Sequence, residues 1–174
     1  MKEIQTTHIK PGIVSSDEYY TPKEIIEALG HFDLDPASPK NPRWCTADVM
    51  FTKEDDGLKK DWTGRVFLNP PYSQPLFGLF MERMAHHGNG IALVVPKLGS
   101  KIFREYVFPF CSALYLLQDR IKFYDQDWIQ QKSPICQSLL IAYGNKNVKA
   151  ICDSGLRGQM LLPIDLKEYS EIER

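Results

Sequence analysis

The sequence predicts an α/β fold, a mostly parallel sheet with helices on both faces. Short apolar runs typical of strands alternate along the chain with segments of helical periodicity, which is the order found in open α/β sheets. Residues 91–95 are apolar without interruption, as expected for a parallel strand that is covered on both faces. Because such sheets bind ligands at the carboxyl ends of their strands, we expect the functional residues where strands end.

The length and composition of the chain predict one folded domain. A chain of 174 residues corresponds to a single domain of ordinary size. Residues 19–174 are assigned to that domain, and residues 1–18 to an N-terminal arm, because the arm shows no clear periodicity. The hydrophobic content of 43% and the charged content of 25% are globular values, which excludes a disordered or low-complexity protein.

The charge and cysteine patterns limit the possible partners. A formal net charge of −1 excludes a protein that holds nucleic acid through a global positive field, so any such contact is expected to be local. The chain has no apolar run of about 20 residues and its N-terminus is too polar for a signal peptide, which predicts a cytoplasmic protein without membrane contact. The four cysteines lack metal-binding spacing, so we expect reduced core residues and no metal site.

The first elements are signalled by helix caps and prolines. A short helix is expected after Tyr19, with Thr21 as its cap, Pro22 in the first position and Gly30 at its end. A strand over 32–35 runs into the turn 36–39, whose two prolines prevent its continuation. Residues 40–60 are polar and predicted to form a loop.

The remaining elements follow from apolar runs and turn residues. A buried strand over 64–68 leads directly into the loop 69–72. Further strands are predicted over 90–95, 113–117, 121–123 and 138–143, an edge strand over 147–151, and helices over 74–84 and 100–107.

The strongest chemical signal is Asn69-Pro70-Pro71-Tyr72 at the end of a strand. Two consecutive prolines fix φ and remove two backbone donors, so the loop is rigid and presents acceptors. The Asn69 side-chain oxygen and the Pro70 carbonyl can accept two hydrogen bonds from an exocyclic amino group, while the Tyr72 ring offers a stacking surface. The alternative interpretation is a turn with a buried tyrosine.

This tetrapeptide resembles the catalytic motif of S-adenosylmethionine-dependent amino-methyltransferases. With five further motifs in the same order, residues 19–143 resemble the phage-type DNA N6-adenine methyltransferase (Dam) family. Those motifs are Tyr20-Thr21-Pro22, Asp33-Leu34-Asp35-Pro36-Ala37-Ser38, Asp55-Asp56-Gly57-Leu58, Asp61-Trp62 and Arg120-Ile121-Lys122-Phe123. The resemblance implies a Rossmann-like methyltransferase fold, S-adenosylmethionine as cofactor, and N6 of adenine in double-stranded DNA as the methyl acceptor. It also implies a phage or prophage origin.

Two other functions remain open at this point. N4-cytosine methylation is the enzymatic alternative, since that amine can use the same two acceptors. A catalytically inactive nucleic-acid-binding module of the same fold is the other alternative. Protein glutamine methyltransferases share the tetrapeptide, but they usually carry a glycine-rich cofactor loop that is absent here.

The resemblance also implies a set of cofactor-binding residues. Thr21 and Pro22 stand where related enzymes contact the methionine part of the cofactor, and Asn69 is included in the site. The turn Asp35-Pro36-Ala37-Ser38 replaces the glycine-rich loop, with Asp35 favoured over Asp33 as the ligand. Asp56 is the candidate acceptor for the adenine amino group of the cofactor, with Asp55 as its possible replacement and a solvated acidic loop as the alternative.

The catalytic residues are expected to be Asn69, Pro70, Pro71 and Tyr72. Hydrogen bonds from the target N6 to Asn69 and Pro70 strengthen as positive charge develops, so they favour the transition state. The base must leave the duplex, and by resemblance Tyr72 and Phe123 enclose it. Cations that follow the strands are predicted to meet phosphates locally. They are Lys97, Lys101, Arg104, Arg120 and Lys122.

Overall fold

The structure, a computed structural model, describes residues 19–132 and 136–163. The predicted arm, residues 1–18, lies outside them. The strands are β1 (Leu34–Asp35), β2 (Val49–Met50), β3 (Val66–Leu68), β4 (Gly90–Val94), β5 (Ala113–Leu117), β6 (Leu139–Tyr143) and β7 (Gly158–Leu161). The helices are α1 (Lys23–Leu29), α2 (Leu76–His87) and α3 (Asn145–Asp153), and a π-helical segment covers Phe103–Val107.

The strands form one sheet with the order β2-β1-β3-β4-β6-β5-β7. The pairs β1–β2, β1–β3 and β3–β4 are parallel, whereas β4–β6, β5–β6 and β5–β7 are antiparallel. The predicted α/β class is confirmed, but the pairing is mixed and not mostly parallel, because β6 lies between β4 and β5. The five strands β1 to β5 nevertheless share one direction, so their carboxyl ends lie at the same edge of the sheet.

Helices cover both faces of the sheet, as predicted. The side chains of β3 alternate, with Val66 and Leu68 in one apolar cluster and Phe67 in the other. The first cluster is completed by α2 and the π-helical segment, and the second by α1 and α3. This two-sided burial explains why the central strands are apolar without interruption.

Several local predictions need correction. Pro22 and not Thr21 is the residue before α1, and no side chain caps the helix, although Gly30 ends it with φ 85° as expected. Residues 121–123 form no strand. The predicted edge strand over 147–151 belongs to α3, where Ile151 is buried and Val148 packs against the same cluster at helical spacing. The strands β2 and β7 were not predicted.

The cysteines also differ from the expectation. Only Cys111 is buried among the four, while Cys45, Cys136 and Cys152 are exposed free thiols. Within the described ranges, no helix is long and apolar enough to cross a membrane.

Candidate functional site

Two adjoining cavities lie at the carboxyl edge of β1 to β5. The first, of about 360 Å³, is lined by the turn 36–39, by residues of the segment 52–58 and by the start of α2. The second, of about 220 Å³, lies between the ends of β3 and β4 and the segment that follows β5. Tyr19 and Asn69 line both cavities. A group held by Asn69 is therefore accessible from either side.

The side chain of Asn69 is oriented by two hydrogen bonds. Its Nδ2 donates to the carbonyl of Tyr19 at 3.4 Å and to Oγ1 of Thr21 at 3.3 Å. Both bonds use the amide nitrogen. In the described part of the chain, no protein group donates to Oδ1 of Asn69. The amide oxygen is thus the atom that remains to accept a hydrogen bond from a ligand.

Tyr72 is held as a fixed aromatic surface on the second cavity. Its hydroxyl oxygen accepts a hydrogen bond from the Val95 backbone N–H at 2.7 Å, and its ring stacks on Phe77 with centroids 5.3 Å apart. Burial raises the pKa of Tyr72 to about 12. The hydroxyl therefore stays protonated at neutral pH, and Tyr72 presents a neutral aromatic ring to the cavity.

The first cavity depends on close packing between its two walls. Gly57 is buried against the turn after β1, and a Cβ at this position would lie 2.0 Å from the Pro36 carbonyl oxygen. Only glycine permits this approach of the two backbones. Pro36, Ala37 and Ser38 on one side and Asp56 on the other thereby face the same space.

Asp35 lies behind this turn and not in the first cavity. Its carboxylate accepts hydrogen bonds from the Ala37 N–H at 3.0 Å and from the Thr46 hydroxyl at 2.5 Å. Asp35 is 2% exposed, and burial raises its pKa to about 6. With Thr21 it lines a small space beside Asn69, so both residues support the wall between the two cavities.

The two carboxylates of the acidic loop have different partners. Asp55 accepts hydrogen bonds from the backbone N–H and the hydroxyl of Thr52, both at 2.8 Å, and these bonds lower its pKa. Asp56 lines the first cavity in the left-handed region, with φ 54°, and pairs with the exposed Lys59 at 2.8 Å. The geometry therefore favours Asp56 over Asp55 as the residue available to a ligand.

The volume and lining of the first cavity fit a nucleoside-containing cofactor. Its volume falls in the range of about 300–1,000 Å³ that is typical of small-molecule sites. Apolar side chains, Leu58, Leu76 and Phe80, line it together with the polar groups of Ser38, Thr52 and Asp56. This combination suits a planar base joined to a polar chain.

His31, Asp33 and Asp48 bring three possible metal-ligand atoms within 4.8 Å of one another. All three side chains are exposed, and they lie outside both cavities.

An aromatic cluster fixes the segments that complete the second cavity. The ring of Tyr20 lies 4.2 Å from that of Trp128, and Trp44 contacts Trp128 at 5.0 Å and Tyr124 at 5.6 Å. Backbone hydrogen bonds join Tyr20 and Tyr124 in both directions. The neighbours of this pair, Tyr19 and Phe123, are thereby brought together at the cavity, with ring centroids 6.4 Å apart.

The predicted phosphate-binding cations are not gathered in one patch. They are Lys97, Lys101 and Arg104 after β4, and Arg120 and Lys122 after β5. Lys97 lies beside Tyr72 of the second cavity, with Nζ 5.4 Å from the centre of its ring. Lys101 pairs with Glu105 in its own segment, while Arg120, Lys122 and the predicted cofactor residue Pro22 line a separate groove.

The structure also adds residues that the sequence analysis did not select. Tyr19 lines both cavities, and Gln131 and the buried Ser138 line the second. Tyr19 directly precedes the Tyr20-Thr21-Pro22 motif, which was the available signal. Gln131 and Ser138 lie in the segment between β5 and β6, and the path of this segment brings them to the cavity. No local sequence pattern indicates that path.

Known protein families and curated proteins include relatives of this chain. The family model described as DNA N-6-adenine-methyltransferase (Dam) matches residues 11–162. A DNA N-6-adenine-methyltransferase of Escherichia phage T1 is 33% identical to the chain over 89 residues. That match covers 46% of the chain and 36% of the length of the phage protein. No solved structure matches the chain.

Proposed function

The chain belongs to the DNA N-6-adenine-methyltransferase (Dam) family, and from this premise we propose that it transfers a methyl group from S-adenosylmethionine to N6 of adenine in double-stranded DNA. The observation that carries the proposal is the position of Asn69. This residue lines both cavities and leaves its amide oxygen for a ligand. A methyl donor in the first cavity and an amino group in the second would meet at that oxygen.

The first cavity is assigned to the cofactor. When bound, S-adenosylmethionine supplies a methyl group that is activated by a positively charged sulfur. Pro36, Ala37 and Ser38 line the space for the amino-acid part, and Asp56 accepts from the adenine amino group. The Ala37 and Ser38 N–H groups and the Ser38 hydroxyl already donate within the protein, so the turn is proposed to offer its carbonyl oxygens to the ammonium group. Thr21 and Asp35 do not line this cavity. Thr21 positions Asn69, and Asp35 holds the turn that carries Ala37.

The second cavity is assigned to the target base. Because an enzyme that modifies a base in a duplex takes it out of the stack, we assign this cavity to an adenine that has turned out of the helix. Tyr72 and Phe123 supply aromatic surfaces for the ring. Base stacking on an aromatic side chain contributes about 1–3 kcal/mol, which offsets part of the cost of unstacking.

The reaction needs positioning more than acid–base chemistry. The N6 lone pair of adenine is delocalised into the ring, which makes it a weak nucleophile. Asn69 Oδ1 and the Pro70 carbonyl accept the two N–H groups and favour a pyramidal nitrogen, while Pro71 keeps the loop rigid. These bonds strengthen as positive charge develops on N6, so they stabilise the transition state more than the bound substrate.

We assign five local cations to contacts with the DNA backbone. Lys97 stands beside the target cavity, and Lys101, Arg104, Arg120 and Lys122 extend along the segments after β4 and β5. Such contacts fix the register of the duplex without reading its sequence. The similarity to a phage protein supports a phage or prophage origin and a reaction in the cytoplasm of the bacterial host.

The test is to identify the methylated nucleoside. The purified protein is incubated with unmethylated duplex DNA and S-adenosylmethionine carrying a radiolabelled methyl group, and the DNA is then digested and separated. We expect label in N6-methyladenine. Label in N4-methylcytosine would replace the proposed acceptor by cytosine. Absence of label in DNA, when the cofactor binds, would overturn the proposal in favour of a binding module without turnover.

A further inference from the structure

Residues 123–131 form a narrow hairpin beside the second cavity. Its two ends, Phe123 and Gln131, both line that cavity, and the Gln131 N–H donates to the Phe123 carbonyl at 2.9 Å. Tyr124 and Gln130 pair one position further out. The hairpin therefore begins and ends where the target base is proposed to bind, and Gln126 near its tip lines the first cavity.

The tip of the hairpin is held by its own hydrogen bonds. Oδ1 of Asp125 accepts from the N–H groups of Asp127 at 3.0 Å and Ile129 at 2.8 Å. The Asp125 N–H donates to the Ile129 carbonyl, and the Trp128 N–H donates to the Asp125 carbonyl. A side chain on this turn is thus carried on a defined backbone and not on a loose loop.

Two neighbouring apolar side chains of the tip have opposite environments. Trp128 has φ 60°, a left-handed conformation that is rare for such a large side chain, and its indole packs on Tyr20 and under Arg43. The next residue, Ile129, is 60% exposed. One side chain anchors the hairpin to the domain, and the next is presented to solvent.

The charged side chains of the hairpin also differ between its ends and its tip. Lys122 and Lys132 are exposed at the two ends, whereas residues 125–129 of the tip carry the exposed carboxylate of Asp127 and no cation of their own, the guanidinium over Trp128 being that of Arg43. Cations suit phosphates, while apolar and acidic groups suit the edges and faces of bases. The ends of the hairpin are suited to the DNA backbone and the tip to the base stack.

We propose that Ile129 is a wedge that enters the base stack of duplex DNA at the position vacated by the target base. The inference rests on the proposed methylation of a base taken out of a duplex, and it adds a residue that acts on the DNA and not on the reaction. Apolar side chains that insert between base steps are a recurrent means of unstacking DNA. A wedge lowers the cost of extrusion and keeps the base from returning.

The test separates extrusion of the base from chemistry. Two duplexes are compared that carry a site methylated by the unsubstituted protein, one with the target adenine paired to thymine and the other with it opposite an abasic site. The variants are Ile129→Ser, the conservative Ile129→Leu, and Leu162→Ser as the matched control. Leu162 is exposed to 62% and lines neither cavity. The readout is kcat/KM on each duplex.

We expect Ile129→Ser to lower kcat/KM by about 10- to 100-fold on the paired duplex, because no wedge then reduces the free-energy cost of unstacking the base. On the abasic duplex, where the base is already unpaired, its rate should approach that of the unsubstituted protein. Ile129→Leu and Leu162→Ser should behave as the unsubstituted protein on both duplexes.

Equal rates for Ile129→Ser and the unsubstituted protein on the paired duplex would overturn the wedge. A loss of the same size on both duplexes would also overturn it, since the residue would then act on chemistry or folding. If the unsubstituted protein methylates no site in duplex DNA from which such duplexes could be made, the proposed function fails first and the wedge fails with it.

Discussion

The side-chain amide of Asn69 donates a hydrogen bond to Oγ1 of Thr21, 3.3 Å away. Thr21 lies just before α1, and Asn69 lies just after β3, so the bond joins the two segments that flank the wall between the cavities. With the bond to the Tyr19 carbonyl, it fixes which end of the amide faces a ligand. The orientation of the proposed catalytic oxygen therefore depends on Tyr19 and Thr21 as well as on the loop that carries Asn69.

Asn69→Ala is expected to lower kcat by about 10²- to 10³-fold, the loss typical of a removed transition-state hydrogen bond. The cofactor dissociation constant should change little, because most of the first cavity is built by other residues. Single-turnover methylation and calorimetric titration with S-adenosylmethionine measure the two quantities. Normal turnover in this variant would contradict the proposed mechanism.

Thr21→Val is expected to have a smaller effect in the same direction. The substitution keeps the shape of the side chain but removes the acceptor of the Asn69 amide. One neutral hydrogen bond contributes about 0.5–1.5 kcal/mol, which corresponds to a decrease in kcat of about 2- to 12-fold. The same single-turnover assay measures it, and a loss as large as that of Asn69→Ala would indicate that Thr21 contacts a ligand directly.

Tyr72→Ala and Tyr72→Phe are expected to separate stacking from hydrogen bonding. Removal of the ring should weaken capture of the base by about 1–3 kcal/mol, measured as the Kd for a duplex with an unpaired target adenine. Tyr72→Phe keeps the ring but leaves the Val95 N–H without its acceptor. It should therefore reduce thermal stability and leave base affinity nearly unchanged. Equal loss of base affinity in both variants would refute stacking.

The sequence alone was sufficient to select those cavity-lining residues that lie within one motif. The loop 69–72, the turn 36–38 and Asp56 were predicted, because prolines, acidic residues and strand ends mark such sites locally. The placement of Asp35 behind the turn was not predictable, since it depends on the Thr46 hydroxyl from a distant loop. The antiparallel β6 between β4 and β5 was missed for a similar reason: its apolar run gives no direction.

Gly57→Ala is expected to damage the first cavity. The added Cβ would lie 2.0 Å from the Pro36 carbonyl oxygen, so one of the two walls must move. Overpacking of this kind costs about 1–3 kcal/mol, seen as a lower Tm, with weaker cofactor binding. Gly99→Ala is the matched control, because its Cβ would meet nothing within 4 Å. Similar Tm and affinity in the two variants would contradict this close contact.

Asp35→Asn is expected to stabilise the protein at neutral and alkaline pH. Burial raises the pKa of Asp35 to about 6 from an ordinary value of 3.8, so the folded state binds more protons than the unfolded state between these values. Stability contributed by this group therefore falls as pH rises from about 4 to 6, by about 3 kcal/mol in total. Asparagine removes this dependence, and it can still accept from Ala37 and donate to Thr46.

The Tm advantage of Asp35→Asn should accordingly be present at pH 8 and vanish near pH 4. Asp35 is buried behind the turn and lines neither cavity, so its carboxylate is not expected to contact a bound cofactor. S-adenosylmethionine should therefore raise the Tm of the unsubstituted protein and of Asp35→Asn by the same amount at pH 8. A larger shift for the unsubstituted protein would mean that the Asp35 carboxylate contacts the positively charged part of the cofactor.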